Sequence, residues 1–441
     1  MKDFVEHPSC KDFERLSLPF LMSTIKDFFG GDLRYMSRPI KWLREQYGID
    51  ISENPRRGVY IVNDDKVAII LGRVLLDKAL DFVFAIKVEN TYFSGMAQVL
   101  NRFEAALAST LSKTQLRHVA ANPHRFGEEL SEFSISQYFS KGAYDRNKFR
   151  YLIQIFHKLA NTRFEGRNFT TGLILTRSNY AFAEKGGHNR EGKLFPLSKT
   201  QNISPANDIG KRFWYLADGQ TSYFVANENF QIGNLFVASN PSRTLSSFVD
   251  DYSLSKTVKG SDALFRVTSQ SEFSITGADG IEFNYKEGSW RVRDLKEIAK
   301  VLVSSLGVSE EFVQSFLYYV FYLSRRRLSS ILWIPENSGS IDSLLLNRNQ
   351  LTKSPFSILE RSHTQSLLRL LSSDGASIFL KDGSLLSFGS VIDISQIKVS
   401  GVKGTGESVS QLLATNGVSV KISQDGTIKL YPGANIPPMV I

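Results

Sequence analysis

A chain of 441 residues, 42% hydrophobic and 22% charged, has ordinary globular composition, long enough for two or three domains and too apolar for disorder. Lys and Arg number 53 against 44 Asp and Glu, a formal net charge of +9 with no long basic run, so a nucleic-acid partner is not expected. The surplus is compatible with a phosphate-bearing ligand or simply with a basic solvated surface. The single cysteine, Cys10, excludes an intrachain disulfide framework and a cysteine-rich zinc site.

The first residues carry no apolar run of signal-peptide length. The most apolar helical stretch, Phe316 to Leu323, falls far short of the ~20 residues that span a bilayer. A cytoplasmic protein with no membrane association is expected. Residues 1–140 read as a small α+β unit of unassigned role. Apolar positions between Phe13 and Phe29 share a helical face that ends at Gly30-Gly31, and Ile40 to Tyr47 reads as a second helix. Strands are predicted at 57–62, 67–71 and 82–88, followed by a helix over about 95–111.

From residue 144 the chain says much the same thing twice. In 144–290, a helix through Phe149, Leu152, Ile153 and Phe156 leads to the buried strand 172–176, then to Asp218-Gly219 and a strand. In 308–441, a helix through Phe312, Phe316 and Val320 leads to strand 330–334, then to Asp374-Gly375-Ala376 and a strand. The interval from Asp-Gly to a later glycine is the same in both, Asp218 to Gly233 and Asp374 to Gly389, and each pass closes on a strand pair. Residues 294–307 read as a connector helix. Two accounts fit: duplication of one module of about 130–150 residues, or a common succession in which Asp-Gly serves tight turns.

Two places could carry chemistry. Gly401 to Ser408 has the glycine spacing of a phosphate loop before a helix predicted over 408–414, but Glu407 stands where that loop needs lysine and would repel phosphates. Asp374 sits on a turn beside a glycine, which suits metal binding or activation of a hydroxyl, and equally suits a plain turn aspartate. The glycine- and base-rich 185–193 reads as a surface loop, and Lys211-Arg212-Phe213-Trp214-Tyr215 as packing. His118 and His124 are six apart with no carboxylate pattern, so a metal site there is not expected.

Asp374-Gly375-Ala376, Gly404-Thr405 and the closing Thr427 to Tyr431 resemble the diadenylate cyclase domain of the DNA-integrity-scanning type. The likeness covers about 305–433, including Arg325 to Ile334. It implies an α/β (α+β) fold, a mixed sheet flanked by helices; on the duplication account, 144–290 is a second, more divergent copy of it. In that family the aspartate of Asp-Gly-Ala helps bind metal and prepares the 3′-hydroxyl of ATP, and a Gly-Thr-Arg-His-Arg motif holds the triphosphate. Here Gly406, Glu407 and Ser408 replace Arg-His-Arg.

The resemblance therefore implies a sensor that binds ATP or a cyclic dinucleotide through Asp374, Gly375, Ala376, Gly404, Thr405, Gly406, Glu407 and Ser408. The alternative is an active nucleotidyltransferase making cyclic di-AMP or a relative. Asp374 would then be catalytic and hold Mg2+ or Mn2+, and Lys403 or Arg325, Arg326 and Arg327 would supply cations. Partners implied are the nucleotide, an effector protein, and either a second copy of the chain or the two modules paired as an intrachain pseudo-dimer.

Overall fold

The computed structural model describes residues 14–15, 17–37, 39–49, 58–62, 67–76, 80–89, 96–113, 123–140, 143–177, 192–238, 260–337, 339, 341–350, 356–396, 404–436 and 438–441. The fold is α/β (α+β), with sheets flanked by helices in two compact units. The described residues up to 238, with 260–294, form the first unit, and 295–441 form the second.

The first unit opens with α1 (Leu18–Phe29), β1 (Asp32–Met36), α2 (Pro39–Tyr47), β2 (Gly58–Val62), β3 (Val67–Leu76), β4 (Leu80–Glu89), α3 (Ala97–Lys113) and α4 (Pro123–Phe139). Gly30 ends α1: its φ of 72° suits glycine, and its N–H donates to the Lys26 carbonyl at 2.8 Å. The four strands form an antiparallel sheet in the order β1-β4-β3-β2.

Next come α5 (Arg146–Ala160), β5 (Arg163–Phe164), β6 (Arg167–Asn168), β7 (Thr171–Leu175), β8 (Gly192–Asn202), α6 (Lys211–Trp214), β9 (Ser222–Ala226), β10 (Gln231–Ala238), β11 (Ala263–Ser269), β12 (Glu272–Gly277), β13 (Ile281–Lys286) and β14 (Ser289–Asp294). Asp145 caps α5 by accepting the Lys148 N–H at 2.8 Å. The buried stripe of α5 lies on the sheet, with the Phe156 ring 5.0 Å from Phe265 and the Phe149 ring 5.3 Å from it. Each such fully buried ring contributes roughly 1.5–3 kcal/mol. Phe28 of α1 and Tyr138 of α4 reach Phe283 at 6.1 and 5.3 Å, so the N-terminal elements share this core.

The second unit contains α7 (Leu295–Leu306), α8 (Glu310–Arg325), β15 (Ser330–Pro335), α9 (Ile341–Leu344), β16 (Leu345–Gln350), α10 (Thr364–Leu371), β17 (Ala376–Phe379), β18 (Leu385–Ile392), α11 (Thr405–Leu413), β19 (Gly417–Ile422), β20 (Ile428–Tyr431) and β21 (Met439–Val440). Ser309 caps α8 from the Phe312 N–H, with Glu310 and Glu311 in the first turn and Arg325 in the last, as the helix dipole favours.

The two large sheets have the same plan. One runs β13-β12-β11-β7-β9-β10-β8 and the other β21-β20-β19-β15-β17-β18-β16, the first extended by β14 beyond β13. Each has one parallel pair at its centre, β7 with β9 and β15 with β17, and antiparallel neighbours elsewhere. Gly233 and Gly389 both fall at register breaks in the matching strands β10 and β18. The equal Asp-Gly to Gly interval thus marks a bulge in each sheet.

Candidate functional site at the Asp374 turn

Helix α10 stops because Ser372 and Ser373 donate back to the Arg369 and Leu370 carbonyls, at 2.8 and 2.6 Å. Ser330 donates to the Leu371 carbonyl at 2.9 Å and ties that end to the start of β15. The chain then turns at Gly375, whose φ is 98°. A Cβ there would stand 2.7 Å from the Gly389 carbonyl carbon and 2.8 Å from the Ser390 oxygen. Only glycine fits so close to the β18 bulge. Asp374 is left exposed, and the one hydrogen bond its carboxylate shows is to the Gly375 N–H at 2.9 Å. Ala376 is buried as the first residue of β17.

The Gly404 segment arrives from the other side of the same sheet end. Gly404 is the extended N-cap of α11, so Thr405, Gly406, Glu407 and Ser408 lie inside the helix and not in a loop before it. This corrects the helix start expected at 408. Gly404 has no side chain to cap the helix, and the Thr405 and Gly406 N–H groups have no partner among the described residues. Gly404 and Thr405 are exposed, whereas Ser408 is buried and contributes packing.

Glu407 does not face a ligand unopposed: Lys429 donates to its carboxylate at 3.0 Å. Nearby, the Lys421 Cε would be 3.3 Å from a Cβ on Gly406, so the missing side chain lets this lysine lie along the helix start. Lys421 has no ion pair among the described residues.

Strand register explains how these groups converge. Lys429, Lys421, Ile331, Ala376 and Ser390 are successive cross-strand partners on β20, β19, β15, β17 and β18. Residues in one row point to one face, here the face covered by α11 through Ile331, Ala376, Val409 and Leu413. At about 4.8 Å per strand, Lys421 stands about 10 Å from Ala376 along the row. Asp374 precedes Ala376 by two residues, just off this row, and the two lysines stand at the row's far end beside the uncapped helix N–H groups.

The two lysines escaped the reading from sequence, which looked for bases inside the motif or next to it. Their signal was the strand alternation that pairs them. Of the bases expected instead, Lys403 lies outside the described residues. Arg325, Arg326 and Arg327 end α8, which packs on the opposite face through Phe316 and Phe379.

The matching turn of the first unit is chemically different. Asp218 accepts the Gln220, Thr221 and Ser222 N–H groups, each at 2.8 Å, and the Thr221 hydroxyl at 2.5 Å. Burial pushes its carboxyl upward, but these hydrogen bonds outweigh burial and hold it below the usual carboxylate range. Its oxygens are committed to the turn. Gly219, at φ 72°, presses against the Thr171 carbonyl, where a Cβ would come within 2.4 Å. The counterpart of the α11 start falls outside the described residues.

The aromatic run at 211–215 packs the module: Trp214 is buried and Phe213 stacks on Phe224 at 4.6 Å. His124 lies in the first turn of α4, while His118 and 178–191 lie outside the described residues. Among the described residues no helix is long and apolar enough to cross a membrane.

No protein-family model and no curated protein matches the chain. Among solved structures it is similar to one described as the crystal structure of the hypothetical membrane spanning protein from Bacillus cereus, with 14% identity over 34% of this chain and 76% of that one. The TM-score is 0.24, too low to bear on fold or function.

Proposed function

We propose that the chain is a cytoplasmic nucleotide sensor that binds ATP or a cyclic dinucleotide at the exposed start of α11 beside Lys421 and reaches from there towards Asp374. The observation that carries this reading is Lys421, a cation without an ion pair among the described residues, lying against the uncapped start of α11. An anion at that start gains from two unpartnered N–H groups, the helix dipole and a lysine. Ribose and base would extend towards Asp374 and the Gly375 turn, with the buried Ala376 beneath that turn supporting it. A cytosolic location fits the lone cysteine.

Titration calorimetry of the full chain against ATP and cyclic di-AMP, with and without Mg2+, tests the proposal. Saturable binding is expected, weakened about 10- to 100-fold by Lys421→Ala, the span for a hydrogen bond to a charged group. A folded chain that binds neither nucleotide would sink it.

The uncommitted oxygen of Asp374 favours a second reading, a nucleotidyltransferase that condenses ATP. A single carboxylate suits Mg2+ or Mn2+ carried in on phosphates, since such ions take one or two protein ligands and keep water. Asp374 would hold the ion, which neutralises phosphate charge. Mass spectrometry of products after incubation with ATP and Mn2+, with Asp374→Asn as control, separates the readings. A product lost in that variant replaces the sensor with the enzyme.

A further inference from the structure

A second cluster lies in the first unit and shares no residue with the two Asp-Gly turns. Helix α4 carries Glu128 and Glu132 four residues apart, hence on one face, and α5 brings His157 against them. His157 Nε2 is 2.9 Å from Glu132 Oε1 and 3.7 Å from Glu128 Oε1, and the three ligand atoms lie within 4.8 Å of one another.

Two features set this trio apart from a surface ion-pair group. The first is the contact itself. His157 Nε2 is fully buried and has no hydrogen-bond partner despite the 2.9 Å approach, so the Glu132 oxygen lies off the ring's N–H direction. The second is burial. The Glu132 side chain is 7% exposed and makes no hydrogen bond among the described residues. An ionised carboxylate that deep, with a second one beside it, is unfavourable unless the pair shares a cation or a proton.

The surroundings fix the ligands. Tyr285 donates to Glu128 Oε1 at 3.3 Å. Tyr285, Phe273 and Trp290 meet the imidazole edge-on at 4.0, 4.8 and 5.8 Å and hold its plane. Outer groups that orient ligands in this way accompany most metal sites.

The geometry points to a divalent transition-metal site of the zinc class formed by Glu128, Glu132 and His157. With metal–ligand distances of about 2.1 Å, the 2.9 and 3.7 Å separations subtend angles of about 90° and 120° at the ion, bracketing a tetrahedron. An imidazole among the donors selects against Ca2+ and Mg2+, which take oxygen ligands. Glu128 is the most exposed of the three, at 37%, so the fourth position opens on its side to water. The ion joins α4 to α5 and, through Tyr285, to the sheet.

The test uses the full chain, stripped with EDTA and dialysed, then titrated with Zn2+ alone by calorimetry and metal analysis. One Zn2+ per chain is expected, with a raised Tm. Stoichiometric binding should be lost in His157→Gln and Glu132→Gln, and the affinity lowered about 10-fold or more in Tyr285→Phe. Because the buried substitutions can unfold the chain, zinc X-ray absorption on the wild type is the second measurement. It should show oxygen and nitrogen neighbours with a single imidazole. Absence of stoichiometric Zn2+, sulfur or several imidazoles around it, or full binding in a folded His157→Gln variant would each overturn the site.

Discussion

Asp218 and Asp374 occupy equivalent turns, yet their carboxylates meet opposite fates. Asp218 is the inward cap of its own turn, and its ionised form is stabilised by N–H and O–H donors that a random chain lacks. Its folded pKa is depressed, so its contribution is fully present above the unfolded value of about 3.9 and is lost as pH falls through the lower folded value. Asp218→Asn should cost roughly 1 kcal/mol at pH 7, a figure discounted for its partial exposure. In urea denaturation the gap between wild type and variant should close below about pH 4. A gap that persists unchanged at pH 2.5 would show that the carboxylate charge is irrelevant. Asp374→Asn should shift stability by no more than about 0.5 kcal/mol, so its effect on a ligand would be read without unfolding. From sequence the two aspartates look alike, because what separates them is Thr221 and Ser222, whose donors matter only once the turn has closed.

At the scale of elements, the strongly patterned helices were legible and the polar or interrupted ones were not. Helix α5 and helix α8 announce themselves by apolar residues at helical spacing. Helix α4 escaped notice because Gly127, Ser131, Ser134 and Ser136 break its stripe, although both Ser134 and Ser136 are buried. Strand β8 escaped because it is largely exposed and reads as polar. At α11 the glycines suggested a loop, and the helix instead starts at Thr405, with Glu407 in its first turn paired with Lys429. That pair is partly exposed and adds ~0–1 kcal/mol to stability. Its larger effect is on charge, since it occupies one of the two lysines in the row. Glu407→Gln should therefore tighten nucleotide binding severalfold at low salt, with the gain shrinking as salt rises, because an unpaired Lys429 adds a cation within reach of phosphate. Calorimetry at two ionic strengths checks this. Equal or weaker affinity in the variant would place the phosphates elsewhere.

For the whole molecule, the shared strand order supports duplication of one module, a reading the sequence suggested through a repeated interval and a repeated succession of elements. The interval was legible because a bulge glycine and a turn glycine both constrain composition. The joining of residues 14–140 to the first module was not, because a common core leaves no local pattern. If both modules descend from one nucleotide-binding ancestor, they differ now in whether the turn carboxylate is available, and that difference should appear in hydrogen exchange. A ligand that binds only the folded second unit slows its globally exchanging amides by the factor 1 + [L]/Kd, about a hundredfold at a hundred times Kd. Amides of β15, β17 and β19 should slow in this way with saturating ATP, while those of β7, β9 and β11 keep their rates, because Asp218 is bound up in its turn. Equal slowing in both sheets would mean that the first module also binds, and that the hydrogen bonds of Asp218 open to admit the ligand. No slowing in either would leave the lysine row without a nucleotide and remove the sensor reading with it.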